Sequence, residues 1–192
     1  EFGMICWIYE EGGWPSGGAC GKVLKDHPEY AREVLKTSKC SFVAGDVYKK
    51  TTPNILAAFL NGKEMIEEGY KFDADAVVTE YFTEKVICGD TDYPDLLNIA
   101  ATEYFINITH EKYLSAMKNA VGKNLTAVFT DEPKAPSSAF NKELAEKYKS
   151  IYGESVLPYL PLITNKTAPT EENVYILHRW YDLCSRMFCD NF

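Results

Sequence analysis

Two short apolar runs constrain this chain more than anything else in it. "MICWIY", residues 4 to 9, and "LTAVFT", residues 125 to 130, are too short to be helices and are rich in β-branched and aromatic side chains. Each stops at a pair of acids, Glu10 and Glu11 after the first and Asp131 and Glu132 after the second. A near-continuous apolar strand is the texture of a parallel sheet covered on both faces. A parallel sheet in turn puts its chemistry on the loops that follow its strands. The first loop, "EEGGWPSGGACG", adds Trp14, a proline and a run of glycines, and it is read either as part of a ligand cleft or as an ordinary surface turn.

Between and after these strands the pattern is mixed. "DHPEYAREVLK" predicts a short helix capped by Asp26 with Pro28 in its first turn. From residue 38 to 87 the texture becomes β-rich, and the Asn61-Gly62 pair between apolar stretches signals a hairpin, with a helix over 53 to 68 as the alternative. "KVICGD" is a further strand candidate. A long helix is expected over 99 to 121, with Tyr104, Ile108, Tyr113 and Met117 on its buried face and Gly122 as its stop. Two more helices are expected, over 138 to 152 before Gly153 and from Thr170 onward. Strand, loop and helix in alternation predict an α/β fold.

Composition bounds the function. Apolar residues make up 46% of the 192, enough for a real core, and 20 basic against 28 acidic residues give a net charge of -8 without any basic cluster. Nucleic acid as a partner is therefore not expected, because phosphate backbones demand concentrated positive charge. No apolar run reaches the roughly 20 residues of a membrane span, so no membrane partner is expected. The six cysteines, at 6, 20, 40, 88, 184 and 189, form no CxxC pair and no His/Cys ligand spacing. Reduced, buried thiols are expected, which favours a cytoplasmic location. His27, His110 and His178 stand at no ligand spacing either.

The ordered series "WIYEEGGWPSG", "KDHPEY", "YPDLLN", "ITHEKY", "FTDEP" and "RWYDLCSRMFCDNF" resembles the barrel of bacterial glycoside hydrolases, including family 106, the alpha-L-rhamnosidases. The resemblance runs through nearly the whole chain except the β-rich segment. Where the family commonly has Tyr-Asp-Glu, this chain has Tyr9-Glu10-Glu11, and it reads "GDTDYPDLLN" where the family commonly carries Trp-Tyr-Asn-Gly. The resemblance implies a partial (β/α) barrel with a β-rich insert: barrel segments at 1–37 and 88–192 around an insert at 38–87. It also implies that the two acid-tipped strands are the second and fourth of eight.

The same resemblance implies that Glu132 is the general acid of a glycosidase, and it places Tyr9, Glu11, Trp14 and Asp131 against a carbohydrate substrate. In chemical terms, Glu11 can accept sugar hydroxyls and Trp14 can offer an aromatic face to a ring. Hydrolysis needs a second carboxyl group about 5 to 9.5 Å from the first. None stands out here, so the chain is expected to be an internal fragment of a larger enzyme, inactive in isolation and prone to self-association through open sheet edges. No cofactor is expected to be required, and whether a bound calcium ion assists is left open by the sequence. The alternative is a noncatalytic carbohydrate-binding or scaffold protein that keeps the barrel motifs.

Overall fold

The computed structural model describes residues 3–12, 14–85, 93–134, 140–164 and 166–192. Among the described residues the fold is mixed α/β, with one parallel and one antiparallel sheet, and neither is closed into a barrel. The chain forms two compact units. One comprises Glu1–Arg32, Val86–Ser137 and Met187–Phe192; the other comprises Glu33–Lys85 and Ser138–Arg186.

The first unit is built on the two strands legible in the sequence. β1 (Cys6–Tyr9) and β6 (Leu125–Phe129) lie side by side and parallel, with Trp7 opposite Ala127 and Tyr9 opposite Phe129, so they are direct neighbours and not the second and fourth strands of eight, which a third strand would separate. Parallel neighbours cannot be joined by a tight turn. Within this unit the helices α1 (Lys22–Asp26), α2 (Ile99–Ile108) and α3 (His110–Met117) lie between the two strands along the chain. Asn98 caps α2 by accepting from the Ala100 amide at 3.0 Å.

The single helix expected over 99 to 121 is instead two. Thr109 leaves helical geometry, and its hydroxyl turns back to donate to the Phe105 carbonyl at 2.6 Å, a local bond that competes with helix propagation. The buried face is correspondingly Ala101, Thr102 and Phe105, whereas Tyr113 and Met117 are exposed. The core joins Phe105 to Ala19 and Val23, with Tyr104, Ile108 and Phe192 packed around them. Asp26 does not start a helix either. It ends α1 and accepts from the Tyr104 hydroxyl at 2.8 Å, and after a 3-10 turn at Pro28–Tyr30 the chain extends into a strand.

The second unit contains a four-stranded antiparallel sheet in the order β2 (Glu33–Phe42), β5 (Ala76–Lys85), β3 (Ile55–Leu60), β4 (Glu64–Ile66). β2 and β5 pair along ten residues, from Glu33 opposite Lys85 to Phe42 opposite Ala76. Asn61 and Gly62 both take positive φ in the connection from β3 to β4, so the hairpin forms where the Asn-Gly pair announced it and the alternative helix does not. Tyr48, Ala58, Ile66, Phe72 and Val78 form the core, with Phe42 stacked on Phe72 at 4.6 Å. The same unit holds α4 (Lys142–Tyr152), capped by the Asn141 side chain and closed by Gly153 at φ 76, the short α5 (Leu160–Ile163), and most of α6 (Val174–Asn191). Trp180 of α6 is buried against Phe140 and Tyr148.

At the centre of this sheet lies a carboxylate that the sequence did not single out. Glu80, fully buried, accepts from the Tyr48 hydroxyl at 2.7 Å, the Thr51 amide at 3.0 Å and hydroxyl, and the Ser38 hydroxyl at 3.3 Å. Burial alone would raise its pKa; the hydrogen bonds outweigh it and hold the carboxyl below its ordinary value. A depressed folded-state pKa contributes stability that is present above the unfolded value, near 4.3, and is lost as pH falls through the folded value. Wild-type stability should therefore fall more steeply than that of Glu80→Gln as pH drops from about 5 to 3. Urea midpoints across that window check this, and parallel curves would remove Glu80 as the cause.

No described helix is long and apolar enough to cross a membrane. None of the described cysteines is in a disulfide, but the expected burial is not seen: Cys6, Cys20 and Cys189 are exposed, and Cys40 and Cys184 are half-buried. The strand candidate "KVICGD" and Cys88 lie outside the described residues, apart from Lys85 at the end of β5.

Candidate functional site

Because β1 and β6 are parallel neighbours, the residues after Tyr9 and after Phe129 emerge at the same end. Ser16, fully buried, ties the two loops together. Its amide donates to the Asp131 carbonyl at 2.9 Å, and its hydroxyl accepts from the Asp131 amide at 2.8 Å. Tyr93 holds the pair from below: its hydroxyl donates to the Ser16 carbonyl and accepts from the Lys134 amide at 3.1 Å. Burial pushes the Tyr93 phenol up to about 12, so it stays a neutral donor. A Cβ on Gly17 would lie 3.0 Å from the Tyr93 hydroxyl oxygen, and Gly17 has φ +126, so this close approach needs glycine.

On this support stand four of the five expected site residues. Trp14 is 58% exposed, and its indole Nε1 donates to Glu132 Oε2 at 3.2 Å. The Lys134 ammonium lies 5.6 Å from the centre of the same ring. The Tyr9 hydroxyl donates to Asp131 Oδ2 at 3.3 Å, and its ring leans on Phe129 with centres 5.6 Å apart. Partial desolvation and then the Asp131 carboxylate raise the Tyr9 phenol above its ordinary value. Glu132 itself is exposed and has φ 42, in the left-handed region that a glutamate rarely occupies. Strain of this kind concentrates where a fold holds a side chain in a required place.

Glu11 is the exception. Its carboxylate is 6% exposed and fully occupied: Oε1 accepts from the amides of Gly12 at 3.2 Å and Cys20 at 2.5 Å, and Oε2 from those of Gly18 at 2.9 Å and Ala19 at 2.7 Å. It therefore has no lone pair left for sugar hydroxyls, and its work is to fold the glycine-rich loop onto itself. Its neighbour Glu10 is equally buried, and neither of its side-chain oxygens has a hydrogen-bond partner among the described residues.

Chemically, the surface patch offers one strained, accessible carboxyl held by an indole N–H, a second carboxylate held by a phenol, an open aromatic face and one ammonium. Among the described residues no three His, Cys, Asp or Glu side chains converge to hold a metal ion. Sequence reasoning missed Ser16 and Tyr93; the only signal for Ser16 was its place inside "WPSG". No family model and no curated protein sequence matches the chain.

Proposed function

We propose that the chain is part of the catalytic domain of a glycoside hydrolase, with Glu132 as general acid and Trp14, Tyr9 and Asp131 around the sugar. The observation that carries this reading is the hydrogen bond from Trp14 Nε1 to Glu132 across the ends of two parallel strands. An aromatic platform beside an accessible carboxyl group suits a sugar ring whose leaving oxygen must be protonated. On this reading β1 and β6 are part of a larger (β/α) barrel that supplies the second carboxyl. Supporting that, Met4, Ile5, Trp7, Val128 and Phe129 on or beside these strands are at least 42% exposed, an apolar surface of the kind that further strands would cover.

A noncatalytic carbohydrate-binding role is the second reading, favoured by the loss of Glu11 to the loop. The two are separated by assaying a panel of aryl glycosides, alpha-L-rhamnosides included, with the chain alone and with a polypeptide that completes the barrel. Hydrolysis by the latter supports the first reading, and saturable binding without turnover by both supports the second. The uncovered apolar surface also makes the 192-residue chain alone self-associate in a concentration-dependent way. Light scattering after size exclusion checks this, and a monomer at all concentrations speaks against the open-barrel reading.

A further inference from the structure

Two local preferences argue against the backbone that Glu132 adopts. A glutamate rarely takes a φ of 42, and the residue before a proline, here Pro133, is pushed toward extended backbone. Such a conformation persists only where the surrounding structure over-determines it. The bonds that do so flank the residue on both sides. Before it, the Ser16 amide donates to the Asp131 carbonyl at 2.9 Å and the Ser16 hydroxyl accepts from the Asp131 amide at 2.8 Å, which fixes the peptide plane whose rotation is the φ of Glu132. After it, the ring of Pro133 locks its own φ, and the Lys134 amide donates to the Tyr93 hydroxyl at 3.1 Å. The same hydroxyl donates to the Ser16 carbonyl, so one phenol locates both halves of the grip.

We infer that Ser16 and Tyr93 are positioning residues for the proposed acid: together they hold the backbone of Glu132 in its left-handed conformation, and so hold its carboxyl against Trp14. Calling Glu132 an acid rests on the glycosidase reading; the grip on its backbone does not. Tyr93 suits the task because it is itself anchored. Its carbonyl accepts from the Arg32 amide at 3.3 Å, and two residues on the Asp95 amide donates to the Tyr30 carbonyl at 2.8 Å, around the bridge between Ala31 and Pro94. Both members of the pair are buried, Ser16 fully and Tyr93 to 7% exposure, and the raised pKa of the phenol keeps its proton in place. A tie that served stability alone could join the two loops anywhere. This one closes on the peptides either side of one strained residue, whose side chain accepts from the indole of the loop to which Ser16 belongs, at 3.2 Å. Freed from the grip, Glu132 should relax toward extended backbone and swing its carboxyl away from Trp14.

In the 192-residue chain the indole N–H resonance of Trp14 is followed from about pH 3 to 7, the range in which carboxyl groups ionise. It should shift with pH in the wild type, and Glu132→Gln should abolish the shift. Tyr93→Phe and Ser16→Ala, which remove one hydroxyl each, should abolish it or cut it at least about threefold, since a hydrogen bond weakens steeply with distance and angle. Tyr48→Phe, which takes an equally buried hydroxyl from Glu80, should lower Tm and leave the shift as it is. Glu132→Gly, which suits a φ of 42, should raise Tm by about 1–4 °C in the wild type and by less than half of that in Tyr93→Phe, where the strain is already released. Either hydroxyl variant decides if the other does not fold. A silent indole in the wild type, a full shift in the hydroxyl variants, a shift lost equally in Tyr48→Phe, or the same Tm gain from Glu132→Gly with and without the Tyr93 hydroxyl would each overturn the inference. In a polypeptide that carries the completed barrel, the hydroxyl variants should lower kcat by about 10 to 10²-fold with KM within about twofold, because a displaced acid still leaves the sugar bound. Absence of hydrolysis by the wild type there would overturn the glycosidase reading, while the indole resonance still decides the grip on Glu132.

Discussion

Glu132→Gln is expected to lower turnover by about 10² to 10⁴ while barely changing substrate affinity, measured in a polypeptide that carries the completed barrel. The reason lies in what the substitution keeps. Glutamine preserves the size of the side chain and an oxygen that can still accept from Trp14 Nε1, so the proposed sugar site keeps its shape. What it removes is the proton for the leaving oxygen. The loss should therefore be largest on glycosides with poor leaving groups and shrink toward nothing on activated aryl glycosides, where departure needs no acid. Equal losses across a leaving-group series would assign Glu132 to positioning, and wild-type rates on a poor leaving group would remove it from the mechanism.

Glu11→Ala is expected to destabilise the chain by about 3–5 kcal/mol, because it strands backbone N–H groups around a buried side chain. Glu11→Gln should cost less, about 2 kcal/mol: its oxygen still accepts, while its NH2 group faces amides that also donate. Urea unfolding of the two variants beside wild type reads this as a graded fall in midpoint. If Glu11 held sugar rather than the loop, stability would be unchanged and binding alone would weaken, the opposite pattern.

That contrast also shows where the sequence is legible and where it is not. β1, β6 and the Asn61-Gly62 hairpin were readable because each is decided within a few residues, by apolar continuity or by turn chemistry. "REVLK" was misread as helix because its local propensity is helical, while the ten-residue ladder to β5, some forty residues on, makes it a strand. The acids are the same case in miniature. "YEEGG" shows two glutamates at a strand end, but which one folds the loop depends on where Gly18, Ala19 and Cys20 return in space. Glu80 was invisible for the same reason, since Ser38, Tyr48 and Thr51 reach it from 29 to 42 positions away. Trp14 and Glu132, 118 positions apart, meet because the parallel strands before them deliver their ends to one place.

The interleaving of the two units has a consequence for the order in which this protein can be made. Each is assembled from separated stretches, and the chain passes from one to the other after Arg32, Lys85, Ser137 and Arg186. Among the described residues β1 pairs with β6 alone, more than a hundred positions later, and Phe192 stacks on Phe105 in the unit that contains both. Neither unit can finish as an early, self-contained block. The nascent chain therefore leaves the β6-facing edge of β1 unpaired until β6 is made, the situation in which slow, long-range pairing invites capture by other chains. Expression at lower temperature, or with holdase chaperones present, should accordingly raise the soluble yield of this protein more than any single stabilising substitution.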